Sequence, residues 1–365
     1  MIAALLAPLI SGFFVDGTRL ETNSRVGFPR PELNFNWFGR MSSSLAESVP
    51  LKQQAIRVDG QIDRFFFRET ASVGSTSPRV IYGTASTLFI SDAMNEACNP
   101  HIQTVQLIDR MKKLAQVITD SGREFRLIVS PDKSSILRDY LPIKYALKEC
   151  FEAHNDEFWK QLPEAEVSGF INLHSELLSA RNSRREILFK RRDTHWDDSG
   201  AATASRAVVD SFRSKLWENS LLNFTGLAEY SGDLNVLSGE SFSDQAPTYS
   251  HARADVKQVS VQLIDDSEHG RNRREKRTST SSYLIPGRTL VLGDSFSEAA
   301  ESFYTNYFED ITFMRLNDFS MYSFLNLIAN SDRVIFWSVE RSFPYRVAYD
   351  WGTNDFITAL GESLK

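Results

Sequence analysis

The chain has 365 residues, of which 42% are hydrophobic and 24% are charged, a composition typical of an ordinary globular protein. Its net charge of -6 at pH 7 gives no general reason to expect nucleic-acid binding, which requires a basic surface. Cys98 and Cys150 are too few for a disulfide scaffold and have no metal-type spacing. The sequence leaves open whether these two cysteines form one bridge.

Residues 1–15 are mostly apolar, but the stretch is too short to span a bilayer comfortably and lacks the positively charged start of a secretory signal. We expect residues 1–20 to be the remnant of an export signal or of an N-terminal membrane anchor; the alternative is a strand or helix of the fold. Residues 16–50 are rich in Asn, Pro, Arg and Ser and predict an irregular N-terminal arm. We expect residues 21–365 to form a single domain.

The rest of the chain alternates between predicted strands and helices. Apolar residues at helical spacing predict helices over residues 102–119, 145–162, 201–217 and 319–330. Short apolar runs predict strands over residues 80–83, 87–90, 125–130, 167–173, 187–190, 259–264, 289–292, 311–314 and 333–339. From residue 101 onward, this alternation favours a parallel sheet with helices on its faces.

Two segments interrupt this pattern. Residues 222–258 are rich in Gly, Ser and Asp, and we interpret them as an irregular surface insertion. Residues 265–281 are strongly polar and contain a basic run at residues 271–277. We interpret this second segment as a solvated hairpin or loop; the alternative is a patch that binds an anionic polymer.

The predicted strand at residues 289–292 leads directly into Gly293, Asp294 and Ser295. A glycine at the carboxyl end of a strand permits a tight turn, which leaves the serine hydroxyl at the edge where open α/β sheets carry their chemistry. The backbone N–H of Ser295 would lie at a helix N-terminus, a favourable place for an oxyanion. The alternative is that Asp294 or Ser295 only caps the helix.

Asp193 and His195 follow another predicted strand, and residues two apart in an extended segment point to the same side. A carboxylate beside an imidazole fixes its tautomer and stabilises the imidazolium during proton transfer. Because a nucleophilic serine needs a base and the base needs an orienting acid, we predict a triad of Ser295, His195 and Asp193. A structural Asp–His pair is the alternative, and His174 is the best rival base. The absence of an H-E-x-x-H motif and of a cysteine pair disfavours a metal site.

The Gly-Asp-Ser block at 293–295 and the Asp-Thr-His-Trp block at 193–196 occur in the reverse of the order found in ordinary SGNH hydrolases. This permuted order resembles the SGNH-like domain of the alginate O-acetyltransferases AlgJ and AlgX and of their relatives in cell-surface polysaccharide acetylation. Further similar blocks are Arg25 with Pro29, Val-Ile-Tyr-Gly at 80–83, Ser-Pro-Asp-Lys at 130–133, Tyr-Leu-Pro at 140–142, Gly-Asp-Leu at 232–234 and Val-Glu-Arg at 339–341. The resemblance covers most of residues 20–342.

The resemblance implies an SGNH hydrolase-like, flavodoxin-like three-layer α/β sandwich with a mainly parallel central sheet. It also implies an O-acetyltransferase that uses an acyl-enzyme on Ser295 to acetylate hydroxyls of a cell-surface or exported polysaccharide. A membrane-bound O-acyltransferase would supply the acetyl groups, so no soluble cofactor is expected, and the location would be the periplasm or cell envelope. The alternatives are a carbohydrate acetyl esterase and a non-catalytic polysaccharide-binding protein.

The second oxyanion donor and the substrate contacts are less well defined by the sequence. The candidates for these roles are Thr194, Tyr304, Arg315 and Asn317. Three further charged residues near strand ends, Lys133, Glu340 and Arg341, are expected to form structural ion pairs.

Overall fold

The computed structural model describes residues 80–145, 147–264 and 271–365. The predictions made for the N-terminal signal or anchor remnant and for the irregular arm, with Arg25 and Pro29, lie outside these residues. Numbered in chain order, the strands are β1 (Val80–Tyr82), β2 (Leu88–Ile90), β3 (Glu124–Ser130), β4 (Phe170–Ile171), β5 (Leu222–Tyr230), β6 (Asp244–His251), β7 (Val256–Leu263), β8 (Arg273–Ser279), β9 (Ile285–Gly293), β10 (Phe308–Arg315) and β11 (Arg333–Val339).

The helices lie mostly between these strands. They are α1 (Asp92–Cys98), α2 (Thr104–Asp120), α3 (Lys133–Ile136), α4 (Lys148–Glu164), α5 (Leu173–Arg184), α6 (Asp198–Phe212), α7 (Asp233–Leu237), α8 (Ser295–Tyr304), α9 (Met321–Ala329), α10 (Phe343–Tyr349) and α11 (Asn354–Ser363). None of the helices in the described part of the chain is long and apolar enough to cross a membrane.

A seven-stranded sheet in the order β4-β3-β11-β9-β10-β8-β7 forms the centre of the fold. The five strands β4, β3, β11, β9 and β10 are parallel to one another. β8 pairs antiparallel with β10 on one side and with β7 on the other. Successive side chains of a strand point to opposite faces. Val291 and Ile335 therefore pack in the core that includes residues of α5, α6 and α8, while Leu290 and Phe336 pack in the core that includes residues of α2, α9 and α11. This mainly parallel three-layer arrangement confirms the predicted fold class.

The predicted strand at residues 187–190 is wrong. Phe189 pairs only with Trp196 in an isolated bridge, because the chain turns back on itself between these two residues. Leu188 has a φ of 65°, a left-handed backbone conformation that interrupts an extended strand. Apolar character there reflects burial beside α6 rather than a place in the sheet.

The predicted irregular insertion at residues 222–258 is also wrong in its secondary structure. β5 and β6 form an antiparallel pair, α7 lies between them, and β7 begins at Val256. β5 is mostly exposed, so its sequence lacks the apolar alternation that would have predicted a strand.

Most of the basic run at residues 271–277 lies in β8, an interior strand of the sheet. β8 pairs antiparallel with β7, so the expected hairpin is present, but it is part of the central sheet and is not a solvated loop. Its arginines are neutralised by acidic neighbours. Arg273 pairs with Glu301 at 2.5 Å, and Arg274 donates to Asp310 at 2.7 Å. These ion pairs compensate the charges of Arg273 and Arg274, which argues against the alternative interpretation of the run as a patch for an anionic polymer.

Helix α6 follows the Asp193–His195 segment and begins at the N-cap Asp197. The Asp197 carboxylate accepts hydrogen bonds from the backbone N–H groups of Ser199 at 2.9 Å and Gly200 at 3.0 Å, both on Oδ1. Asp197 is only 5% exposed, and this burial raises its pKa to about 6. The cap therefore places an enclosed carboxylate at the start of α6.

We expect Asp197→Asn to raise the free energy of unfolding more at pH 8 than at pH 4.5. An acid with a raised pKa in the folded state contributes stability that is full below its unfolded pKa of about 3.9 and is lost as the pH rises through 6. Asn caps helices as well as Asp does and keeps the Oδ1 acceptor. Denaturant unfolding should show a gain about 2 kcal/mol larger at pH 8.

The control is the exposed Asp355→Asn, in the first turn of α11, which should show no comparable pH-dependent gain. An equal gain from Asp197→Asn at both pH values, or a loss at pH 8, would contradict the interpretation.

Candidate active site

Ser295 is the first residue of α8, directly after β9 and the Asp294 turn. Asp294 caps the helix, because its Oδ1 accepts from the Phe296 N–H at 2.9 Å, and its Oδ2 accepts from the Val339 N–H at 2.5 Å. The second bond fastens the turn to the end of β11. A Cβ on Gly293 would lie 2.0 Å from Ser297 Oγ, so the close turn requires glycine at this position. Asp294 thus takes the capping role, and the Ser295 hydroxyl is available for another contact.

The predicted acid, base and nucleophile lie in one hydrogen-bonded line. His195 donates through Nδ1 to Asp193 Oδ1 at 2.7 Å, and its Nε2 lies 2.8 Å from Ser295 Oγ. The carboxylate at Nδ1 selects the tautomer in which Nε2 accepts the serine proton. The His195 backbone N–H also donates to Asp193 Oδ1 at 2.8 Å, and the ring packs against Phe296 with centroids 5.0 Å apart. The geometry suits proton transfer from a serine hydroxyl.

Asp193 is held in its ionised form. Burial acts to raise its pKa, but the hydrogen bond from His195 and the charge of that ring lower the pKa well below its usual range. An ionised carboxylate at Nδ1 keeps the imidazole oriented, and a carboxylate in this position stabilises an imidazolium.

Lys133 binds the backbone of the turn that contains Asp193. Its side chain is buried, and its ammonium donates to the backbone carbonyls of Lys190 at 3.1 Å, Arg191 at 3.0 Å and Asp193 at 2.7 Å. Burial lowers the pKa of Lys133 to about 7. The expectation of a Lys133 ion pair is therefore wrong in detail, because this ammonium binds carbonyl oxygens directly.

The other two residues expected in ion pairs lie beyond β11. Arg341 pairs with Asp132, as expected. Glu340 instead accepts hydrogen bonds from the Asp132 N–H at 2.9 Å and from Ser135 Oγ at 2.7 Å. These contacts join the loop after β3 to the loop after β11 at the edge of the sheet that carries Ser295.

A second carboxylate lies beside the Asp193–His195 segment. Asp233 accepts hydrogen bonds from the backbone N–H of Thr194 at 2.8 Å and from its hydroxyl at 2.5 Å. Ligand atoms of Asp193, His195 and Asp233 lie within 4.8 Å of one another, but they are used in hydrogen bonds to each other and to Thr194. We interpret the group as a hydrogen-bonded cluster in which the Asp233 carboxylate binds Thr194 and the Asp193 carboxylate binds His195. The sequence marked the Gly-Asp-Leu block at 232–234 but gave no indication of this contact.

The four candidates for the second oxyanion donor and the substrate contacts each make another contact in the structure. Tyr304 lies nine residues further along α8, about 14 Å away by helix geometry, with its ring packed near Trp337 in the core. Arg315 forms an ion pair with Glu298, and the side-chain oxygen of Asn317 accepts from Arg346. Thr194 is engaged by Asp233. Each of these side chains has a structural contact in place.

His174, the rival base, lies in α5 and stacks on Trp159 with ring centroids 4.6 Å apart. Burial lowers the pKa of His174 to about 4. The imidazole within hydrogen-bonding distance of Ser295 Oγ is instead that of His195.

Taken together, the permuted order, the parallel sheet and the serine at the β9–α8 turn define an SGNH hydrolase-like domain. Residues 80–305, more than half of the chain, match the family model described as "SGNH hydrolase-like domain, acetyltransferase AlgX". The chain belongs to this AlgX family of acetyltransferases and is an acyltransferase. No curated protein matches it in a sequence search.

Three solved structures are similar to the chain at low sequence identity. Bacillus cereus PatB1 with a sulfonyl adduct is 14% identical, covers 73% of this chain and 97% of its own, and has a TM-score of 0.52. A DHHW family protein from Eubacterium siraeum is 14% identical, with coverages of 77% and 98% and a TM-score of 0.50. The O-acetyltransferase domain of Pseudomonas putida AlgJ is 17% identical, with coverages of 78% and 100% and a TM-score of 0.46. The first two share the fold of this chain.

We expect Lys133→Met to lower the free energy of unfolding by about 3 kcal/mol. Methionine fills a similar volume but has no donor, and each buried carbonyl that loses its partner costs about 1–3 kcal/mol. Denaturant unfolding measures the loss. The control is Lys113→Met on the surface of α2, where an exposed pair with Asp109 is removed at a cost below about 1 kcal/mol. Equal stability of the two variants would contradict the anchoring role.

Proposed function

We propose that the chain is an O-acetyltransferase that acetylates hydroxyls of a cell-surface or exported polysaccharide through an acyl-enzyme. The observation that carries the proposal is the line of hydrogen bonds from Asp193 through His195 to Ser295 in a domain of the AlgX acetyltransferase family. The polysaccharide acceptor follows from the permuted motif blocks, which resemble those of the alginate O-acetyltransferases.

In the first half of the reaction, Ser295 Oγ attacks the carbonyl carbon of an acetyl donor while its proton moves to Nε2 of His195. The imidazolium, stabilised by Asp193, then gives this proton to the leaving group, and an acetyl ester remains on Ser295. In the second half, His195 removes a proton from a sugar hydroxyl, and the resulting oxygen nucleophile attacks the ester. The serine regains its proton from the imidazolium as the acetylated sugar leaves.

The start of α8 offers stabilisation for the oxyanion that forms in both halves. Backbone N–H groups of a first helical turn have no partner within the helix, and the helix dipole favours negative charge there. Asp294 occupies the Phe296 N–H, whereas the Ser295 N–H lies beside the reacting oxygen. A single preorganised donor of this kind contributes about 3 kcal/mol to transition-state stabilisation.

The acetyl donor in this proposal is a membrane-bound O-acyltransferase partner, and the working location is the periplasm or cell envelope. The disulfide between Cys98 and Cys150, which joins the end of α1 to the start of α4, supports an oxidising compartment. A protein that meets its donor at a membrane and its acceptor outside the cytoplasm needs no soluble acetyl carrier.

The experiment is an assay of purified protein with a chromogenic acetyl ester, with and without an acceptor glycan, followed by mass spectrometry of the glycan. We expect acetylated glycan from the wild type and losses of about 10³-fold or more for Ser295→Ala and His195→Ala, because the triad acts as a unit. Ser363→Ala near the C-terminus serves as the control and should keep full activity.

The other outcomes separate the alternative functions. Release of acetate without glycan acetylation would indicate a carbohydrate acetyl esterase. If neither product forms, and Ser295→Ala binds glycan as well as the wild type, the protein is a polysaccharide-binding protein without this activity.

The proposed location predicts that both cysteines are oxidised in protein taken from cells. Thiol titration of the denatured protein should find no free thiol before reduction and two after it. We expect the Cys98→Ser, Cys150→Ser double variant to lose about 2–4 kcal/mol of unfolding free energy. Two free thiols in protein isolated from the cell envelope would contradict the oxidised state.

A further inference from the structure

We propose that Asp233 is a positioning residue, which holds Asp193 and His195 in line with Ser295. The inference deepens the proposed function and rests on it, because both concern the same relay. Asp233 contacts Thr194 and Asp193, and it acts on the reaction through the residues that it orients.

Three hydrogen bonds connect Asp233 to the relay. Its Oδ1 accepts from the Thr194 N–H at 2.8 Å, and its Oδ2 accepts from the Thr194 hydroxyl at 2.5 Å. Its own backbone N–H donates to Asp193 Oδ2 at 3.3 Å. Thr194 separates the acid from the base, so fixing its peptide and side chain sets the directions in which Asp193 and His195 project. The bond to Oδ2 also leaves Oδ1 to His195.

The support for Asp233 is rigid. It opens α7, whose residues Leu234 and Leu237 pack with Val80 and Leu88 in a small separate core. A Cβ on the preceding Gly232 would lie 1.8 Å from the carbonyl oxygen of Arg192, so the two backbones are in direct contact. Glycine at 232 is therefore what allows Asp233 to approach this close.

Arg192 ties the same two segments together from the side. Its guanidinium donates to Asn235 Oδ1 at 2.9 Å and forms an ion pair with Glu240. Its backbone N–H donates to the Tyr230 hydroxyl at 3.3 Å. The segment from residue 230 to 240 thus binds the Asp193–His195 turn through side chains and backbone, and Lys133 binds the backbone carbonyls of the same turn.

The charge of Asp233 adds to its geometric effect. Its Oδ2 lies 3.8 Å from Nδ1 of His195, close enough for a carboxylate to favour the imidazolium that forms when Ser295 gives up its proton. The neutral variant Asp233→Asn keeps an acceptor for the Thr194 N–H and loses this charge. Asp233→Ala loses the charge and both side-chain hydrogen bonds to Thr194, and it keeps only the backbone N–H bond to Asp193.

The chain contains a matched control. Asp255 clamps a serine turn in the same way, since its Oδ2 accepts from the Ser282 N–H at 2.7 Å and from Ser279 Oγ at 2.6 Å. Ser282 precedes β9, at the opposite end of that strand from Ser295. Asp255→Ala therefore removes an equivalent clamp at the far edge of the sheet.

The test measures steady-state kinetics of the full chain with a chromogenic acetyl ester, together with unfolding free energies. We expect Asp233→Ala to lower kcat by about 10- to 100-fold with KM changed less than about twofold, because small misplacements of reacting groups are costly. Asp233→Asn should lose less, and Asp255→Ala should keep wild-type kcat. A double-mutant cycle with Asp193→Asn measures the coupling between the two residues, which a general loss of stability would not change.

In the cycle, the loss caused by Asp233→Asn should shrink to less than about twofold when Asp193 is already replaced by Asn, since Asp233 then has no aligned relay to support. Wild-type kcat in both Asp233 variants would overturn the inference, and so would the same fractional loss in the Asp193→Asn background. If Ser295→Ala keeps full activity, both the proposed function and this inference are wrong. If Ser295→Ala is inactive and the Asp233 variants are not impaired, only the inference fails.

Discussion

The buried ammonium of Lys133 joins two parts of the fold that the sequence keeps far apart. Lys133 follows β3 at the edge of the sheet, and the three carbonyls that it binds belong to a turn that reaches this edge from the helical layer. A buried lysine loses its hydration, which its low pKa reflects, and three carbonyl oxygens at hydrogen-bonding distance compensate for that loss. The position of Asp193, and with it that of His195, depends on this contact.

Ser295 is fixed by a different and independent mechanism. Its turn is part of the sheet, because Asp294 both caps α8 and accepts from the Val339 N–H at the end of β11. Parallel strands bring their carboxyl ends to one edge, so the loops after β3, β9 and β11 meet there by topology alone. The relay therefore has one half built on the sheet and one half held by Lys133, which follows β3, and by Asp233, which opens α7. The alignment of His195 with Ser295 therefore depends on tertiary contacts, and the sequence of either half alone does not determine it.

This division explains which features were predictable from the sequence. The apolar runs of β3, β9 and β11 are buried on both faces and were recognised, as was the Gly-Asp-Ser turn, because local spacing determines them. The strand predicted at residues 187–190 failed because burial there comes from α6 and not from the sheet. The expectation that the basic run is solvated is wrong for a different reason: Arg273 and Arg274 lie inside a sheet because Glu301 of α8 and Asp310 of β10 pair with them. Ion pairs between residues this far apart in the chain cannot be predicted from the local sequence.

The permuted order of the motifs is compatible with the Asp193–His195–Ser295 geometry, because the two halves of the relay are held in place independently. The proposed proton transfer needs His195 within hydrogen-bonding distance of Ser295 Oγ, and it places no condition on which residue comes first in the chain. Only the serine turn must be built on a strand end, since its N–H and its hydroxyl depend on the helix that begins there. The acid and base need a rigid turn delivered to that edge from either direction. Here the turn comes a hundred residues earlier in the chain. Its two supporting contacts, Lys133 in α3 and Asp233 in α7, lie on opposite sides of it in sequence.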